Sequence, residues 1–320
     1  KLMELKMKKL EVLNKIESNL YDYNKENHLK GLLTSSHYST LSKQILDSIR
    51  RIEYVRAVGK NTISVLRANP HSDIFDPIRA AWWHKNNGNY DEACWLVFLS
   101  THFGKNKKTG WRLCKDIYGG LGEKKWDWES ISENIENFKK WYENAYIEIC
   151  NDNIQRSFGN HRKYETLKPY GKRSLPKVIE SYVKWIGGSK SHLARFSEAE
   201  AIIGQTISPE GLFDILYKDM KSVVSFGRTA KFDYLTMLTK IGLIELDPKD
   251  LYLSGATGPL SGSKLLLFND KKHPISINNL NDELYKLSQI IPVKNLKMQI
   301  MEDALCNWQK SPDIYKYFGG

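Results

Sequence analysis

Apolar positions recur along this chain mostly at helical spacing. Leu2, Leu5, Leu10, Leu13, Ile16 and Leu20 stand three to five residues apart within residues 1–30 and predict one amphipathic helix. A second is predicted from about Thr40 to Leu66, with Ile45, Ile49, Ile52, Val55 and Val58 on one stripe. Asn69-Pro70-His71-Ser72-Asp73 breaks the pattern, and Ser72 or Asp73 is placed to cap the helix that follows. Tyr90–Thr101 is apolar on every face, the mark of a helix at the centre of a lobe. Ser130–Ile149, Leu175–Ile186, Glu198–Ile203, Gly211–Val224 and Phe232–Leu238 complete the helical pattern, around a basic connection at Arg156–Pro176. Residues 243–282 are punctuated by Pro248, Gly255, Gly258, Pro259, Gly262 and Pro274 and are expected to be rich in loops. Strand-like alternation is scarce and no internal repeat is seen. The expectation is an all-α protein with two helical lobes and a cleft between them. Residues 1–66 would form an N-terminal helical extension, 67–310 the helical core, and 311–320 a C-terminal tail.

Composition sharpens this picture. A chain of 320 residues with 41% hydrophobic content is long and apolar enough for one large core or two smaller lobes. The net charge of +11 points to an acidic partner, nucleic acid or an anionic membrane surface. No apolar run approaches the roughly 18 residues of a membrane span. Cys94, Cys114, Cys150 and Cys306 are isolated, and Cys94 lies in an apolar run. Neither a zinc site nor a disulfide framework fits them, and the reducing cytoplasm is the expected compartment. No phosphate-binding glycine loop, dinucleotide fingerprint or metal-ligand spacing is present, so no cofactor or metal is expected. No obligate protein partner is evident.

The stretch Ser225-Phe226-Gly227-Arg228-Thr229-Ala230-Lys231 joins two helix-like segments. A glycine turn there would aim backbone N–H groups and the positive end of the following helix at an anion such as a DNA phosphate. Ser225, Gly227, Arg228, Thr229 and Lys231 are the candidate contacts; a plain helix corner would use the same glycine.

The order of features from Asp91 to Lys264 resembles the helix-hairpin-helix DNA glycosylase fold. An apolar helix, Asp91–Leu99, leads to a polar segment at Ser100–Lys105, and the hairpin follows much later. Four blocks are more specific: Arg67–Pro77, Phe158–Leu167, Gly255–Gly262 and Met301–Lys310. Together they look like the α-glutamyl/putrescinyl thymine pyrophosphorylase family, over about residues 65–310. That resemblance implies double-stranded DNA carrying modified bases as partner. The family includes phage enzymes that build modified bases, and bacterial defence proteins similar to glycosylases that excise glucosylated hydroxymethylcytosine.

Cleaving an N-glycosidic bond needs a flipped nucleotide, a pocket for its base and a carboxylate beside the sugar. In the glycosylase fold that carboxylate follows the hairpin by about twenty residues, which makes Asp250 and Asp247 candidates; a turn before Pro248 is the plainer role for Asp247. Asp233 is a third candidate, with stabilisation of a helix N-terminus as its plainer role. The Val-Asp-Thr-His type of string that carries the aspartate in that fold is absent. Asn160, His161, Arg162, Tyr164 and Glu165 combine donors, acceptors, a ring and a carboxylate suited to reading a base edge. Asp73, Asp76 and Asp303 are further candidates for the base pocket. Thr101, His102 and Lys105 fall in Ser100–Lys108, a candidate wedge loop in which His102 or Phe103 would fill the gap left by the flipped base. Gly255–Gly262 is a candidate backbone-lined turn at the pocket. Lys231 could act as a nucleophile in strand cleavage, yet a phosphate contact is its simpler role, and a water-using reaction is favoured.

The first expectation is a monofunctional DNA glycosylase that excises a bulky modified base, such as glucosylated hydroxymethylcytosine, in antiphage defence. A base-modifying transferase that displaces pyrophosphate, and a non-catalytic DNA-binding module, are the alternatives.

Overall fold

The computed structural model describes residues 2–201 and 207–318 and is built of helices; no strand occurs among them beyond an isolated antiparallel bridge between Asn106 and Gly110. The chain divides into two compact units, Lys1–Tyr54 with Asp247–Gly320, and Val55–Leu246.

The first unit draws on both ends of the chain. It contains α1 (Leu2–Asn27), most of α2 (Ser35–Val58), and three helices whose labels continue the chain order below: Gly258–Phe268, Ile277–Ser288 and Lys297–Trp308. Ile16 and Leu20 of α1, Leu41, Ile45 and Ile49 of α2, and Leu284, Met301 and Trp308 pack into one core. Leu10 of the expected stripe is exposed, whereas Ile16 and Leu20 further along α1 are buried. The Trp308 ring N–H donates to Thr40 Oγ1 at 3.1 Å, fastening the last helix to α2. Residues beyond Trp308 are tied down along α2 as well: Gln44 Nε2 donates to the Lys316 carbonyl at 2.7 Å and Arg51 to that of Phe318 at 3.1 Å.

The second unit holds α3 (Pro77–Asn86), α4 (Tyr90–Phe103), α5 (Arg112–Tyr118), α6 (Trp128–Glu133), α7 (Ile135–Asn151), α8 (Leu175–Ile186), α9 (His192–Ala201), α10 (Pro209–Asp219) and α11 (Arg228–Ile241). The helices of the first unit then complete the order as α12, α13 and α14. Every residue of α4 from Glu92 to Phe103 is buried, which is why its sequence is apolar all round. It packs against α3 and α11, and also touches α5, α6 and α9. Along it runs an aromatic stack: Phe98 lies 3.7 Å from Tyr182 and 4.8 Å from Phe226, ring centre to ring centre.

Several sequence expectations are corrected. The cap of α3 is neither Ser72 nor Asp73 but Asp76, whose carboxylate accepts from the N–H groups of Ile78 and Arg79 at 3.0 and 3.1 Å. Ser130–Ile149 is two helices, because Asn134 takes an extended conformation and caps α7 through its side chain. The helix expected at Glu198–Ile203 begins earlier, at His192, and is described as far as Ala201; residues 202–203 lie outside the described residues. The glycines of Gly255–Gly262 do not all line a turn. Gly258 and Gly262 sit in α12 against α14, where a Cβ on Gly262 would come 2.3 Å from the Leu305 carbonyl oxygen. They permit close helix packing, the reason this block looked like a loop in sequence.

Candidate functional site

Two glycines begin the site. Gly104 ends α4 with φ of 63°, and Gly159 approaches it so closely that a Cβ on Gly159 would fall 2.9 Å from the Gly104 carbonyl carbon. Gly159 N–H donates to the Phe103 carbonyl at 2.8 Å. This close crossing delivers the short helical turn Asn160–Arg162 to the end of α4. Arg162 then turns inward and is buried. Its Nε donates to the Thr101 carbonyl at 2.7 Å, and its terminal nitrogen to Asp233 Oδ2 at 3.0 Å.

Asp233 stands in the second turn of α11, with its side chain 43% exposed. The carboxylate is thus held by a guanidinium and remains partly exposed. The hairpin leads into the same helix. Ser225, not Gly227, takes the left-handed conformation, with φ of 64°. Gly227 has φ of −72°, and a Cβ there would meet nothing within 4 Å. Neither backbone strain nor crowding demands this glycine; its place is the exposed N-terminus of α11, which no side chain caps. Phe226 inserts into the core, parallel to His102 at 6.4 Å.

Arg173 joins the basic loop to the hairpin. It donates to Ser225 Oγ at 3.1 Å and to Glu165 Oε1 at 2.5 Å. Arg162 and Glu165 are therefore both anchored towards the hairpin, and between them Tyr164 points outward, 78% exposed, with Lys163 Nζ 5.0 Å from its ring centre. Asn160 and His161 are exposed as well. Lys231 is half-buried, its Nζ 4.0 Å from the centre of the Tyr217 ring, and burial lowers its pKa. Arg228 and Thr229 occupy the first turn of α11.

The wedge expectation is corrected by burial. Thr101 and His102 belong to α4 and are buried, as is Phe103, so the loop begins only at Gly104, and Lys105, Lys107 and Lys108 are exposed in it. Burial, with Arg162 and Arg173 nearby, pushes the His102 pKa down to about 3, leaving a neutral ring whose Nε2 has no hydrogen-bond partner.

The remaining candidates have partners of their own. Asp76 is engaged as the α3 cap, and Asp73 accepts from Lys115 Nζ at 3.1 Å. Asp247, Asp250 and Asp303 belong to the first unit. There Asp247 accepts from the Leu296 N–H at 2.9 Å, Asp250 from the Tyr252 N–H, and Asp303 from Ser48 Oγ at 2.8 Å. Among the described residues no group of three His, Cys, Asp or Glu side chains is placed to hold a metal ion. No helix among them is long and apolar enough to cross a membrane.

A buried polar chain beneath the site has no clear sequence signal. His192 Nδ1 donates to Asp91 Oδ1 at 2.7 Å, and its Nε2 lies 2.7 Å from the Tyr182 hydroxyl, which lies 2.8 Å from that of Tyr234. Burial would raise the Asp91 carboxyl, yet the bonds from the His192 side chain and backbone bring it below its ordinary value. Burial keeps His192 neutral despite Asp91. The chain locks α4, α8, α9 and α11 together, with Tyr234 adjacent to Asp233.

No curated protein and no solved structure matches the chain. Residues 36–320 match the alpha-glutamyl/putrescinyl thymine pyrophosphorylase family, clade 3. Nearly the whole chain is covered, both units included, and the protein belongs to that family.

Proposed function

We propose that this chain flips a modified base out of double-stranded DNA and removes it by breaking its N-glycosidic bond. The observation that carries this reading is the half-exposed Asp233 carboxylate, held by Arg162 on the helix that begins at the hairpin. The N-terminus of α11, with Arg228, would seat a phosphate and so bring the adjoining sugar towards Asp233. As the bond from C1′ to the base nitrogen breaks, the electron pair leaves with the base and positive charge grows on the sugar. Asp233 stabilises that charge and takes a proton from the water that bonds to C1′; it returns that proton to solvent, from which the departing base takes one. The products are a free base and an abasic site, which in invading phage DNA would stop replication. Membership of a family named for chemistry on a thymine derivative supports a DNA base as the target. A base bearing a bulky glucosyl group is the substrate this reading favours.

The family's name also favours a second reading, transfer of a small nucleophile to an activated base with loss of pyrophosphate and the glycosidic bond intact. Incubation with phage DNA containing glucosylated hydroxymethylcytosine, beside unmodified DNA, separates the two. Base removal releases a modified base seen by mass spectrometry, leaves alkali-labile sites, and is abolished in Asp233→Asn but not in Asp247→Asn or Asp250→Asn. A pyrophosphate-activated thymine DNA that gains mass in the presence of an amine establishes transfer instead. DNA bound but unchanged in both assays leaves only a binding module.

A further inference from the structure

The bend that leads into α11 is made by a serine in a conformation that suits glycine. Ser225 has φ of 64°, which glycine adopts freely and which strains a residue carrying a Cβ. Glycine follows only at Gly227, where φ is −72° and the backbone is unstrained. What serine offers at the bend, and glycine lacks, is a hydroxyl. It accepts from Arg173 Nε at 3.1 Å, 52 residues earlier in the chain.

Arg173 is itself committed. Its terminal nitrogen donates to Glu165 Oε1 at 2.5 Å. The Glu165 side chain is only 8% exposed, and its Oε2 is shielded without a partner. A carboxylate so enclosed needs its cation, so Glu165 fixes the direction of the guanidinium. The Glu165 N–H in turn donates to the Arg162 carbonyl at 2.9 Å, and Arg162 holds Asp233. On either side of Ser225 the chain is anchored: Val224 N–H donates to Ser181 Oγ at 2.9 Å, and Phe226 is buried against Phe98. The bend is pinned at both flanks and at its strained centre, just ahead of the helix that carries Asp233. Strained residues of this kind persist where their surroundings over-determine them, and they collect at functional sites.

We propose that Arg173 is a positioning residue: by holding Ser225 left-handed it fixes the entry of α11 and so the direction of Asp233. The proposal rests on the reading that Asp233 acts on DNA. Arg173 touches neither base nor sugar; Glu165 aims Arg173, Arg173 holds Ser225, and Ser225 sets the helix.

Two substitutions at one position separate the hydroxyl from the strain. Ser225→Ala removes the hydroxyl and keeps the strain, whereas Ser225→Gly removes both. Each variant is incubated with phage DNA containing glucosylated hydroxymethylcytosine, and base release is timed at saturating protein. Affinity for the same DNA is measured by fluorescence anisotropy. Ser225→Ala should slow release by about tenfold, the scale of one strained residue, while Ser225→Gly should stay within about twofold of the native rate. Arg173→Gln should fall with Ser225→Ala, and adding Ser225→Gly to it should restore the rate. A residue that merely stabilised the fold would lower the melting temperature without this pattern. Melting curves identify any variant that fails to fold, and the two Ser225 substitutions then carry the test. If the native chain binds the DNA but releases no base, base removal fails by itself; the clamp is then read from affinity, which should follow the same order. Equal behaviour of Ser225→Ala and Ser225→Gly, or no rescue of Arg173→Gln by Ser225→Gly, overturns the proposal. So does a native chain that does not bind the DNA.

Discussion

Tyr164 illustrates how much one side chain depends on its neighbours. A tyrosine in a basic loop is unremarkable by itself, but Arg162 is fixed to Asp233, and Glu165 to Arg173, which also bonds Ser225, so the exposed ring stands in a loop tied to the start of α11. The rings that the sequence suggested for stacking, His102 and Phe103, are buried, so the test of a stacking role falls on Tyr164. Tyr164→Ala should weaken DNA binding by about five- to a hundred-fold, since stacking on one base is worth about 1–3 kcal/mol. Tyr164→Phe should keep most of that affinity, and the melting temperature should stay unchanged in both because the ring is solvent-exposed. Equal affinity of the alanine and native proteins in a fluorescence anisotropy titration would remove Tyr164 from the interface.

The helix after the hairpin shows what an element adds. The N-terminus of α11 offers its dipole at an exposed glycine, and its two basic residues differ in circumstance. Lys231 is drawn over the Tyr217 ring and half-buried, whereas Arg228 stands at the first position of the helix. Under the phosphate-binding reading, Arg228→Ala should lower the slope of log affinity against log salt by about 0.9. Lys231→Ala should lower it by less. Slopes unchanged in both variants would leave α11 without a phosphate contact. The elements themselves were largely legible from spacing: Leu175–Ile186 was matched residue for residue, and Tyr90–Thr101 fell two residues short of α4. A turn does precede α11, with Ser225 rather than Gly227 as its left-handed residue. The misread elements have local causes. Asn134 breaks a continuous pattern by capping, and Gly258 and Gly262, which resemble loop residues in composition, serve helix packing.

Stability belongs to the whole molecule because burial spread over many elements sets it. The Glu92 carboxyl is enclosed between Tyr118 and the Trp128 N–H, and burial raises its pKa from 4.5 to about 7. A raised folded-state value means that its contribution is fully present below pH 4.5 and is lost as pH rises through about 7. His84 and His102 act in the opposite sense: burial first, and nearby positive charge second, lowers them from 6.5 to about 4 and about 3. Their stabilising contribution is present above pH 6.5 and is lost as pH falls towards those values. Between pH 4.5 and 6.5 the two histidines outweigh the one carboxyl, so on these groups the melting temperature should rise with pH to about neutral and then level off. Glu92→Gln should steepen that rise, since it removes the opposing loss; an unaltered slope in a calorimetric pH series would contradict this account. At the same scale the limits of sequence reading are clear. Helical periodicity, the apolar character of α4, the basic charge and the blocks that mark the family were all present in the one-dimensional order, because each is a local or summed property. The tertiary structure alone decided which candidates meet. Arg162 reaches Thr101 across 61 residues and Asp233 across 71, while Asp247, Asp250 and Asp303 fall in a unit made from the two ends of the chain. Spacing along a chain reports which face of a helix is buried, but a carboxylate acquires its partner only when distant segments pack together.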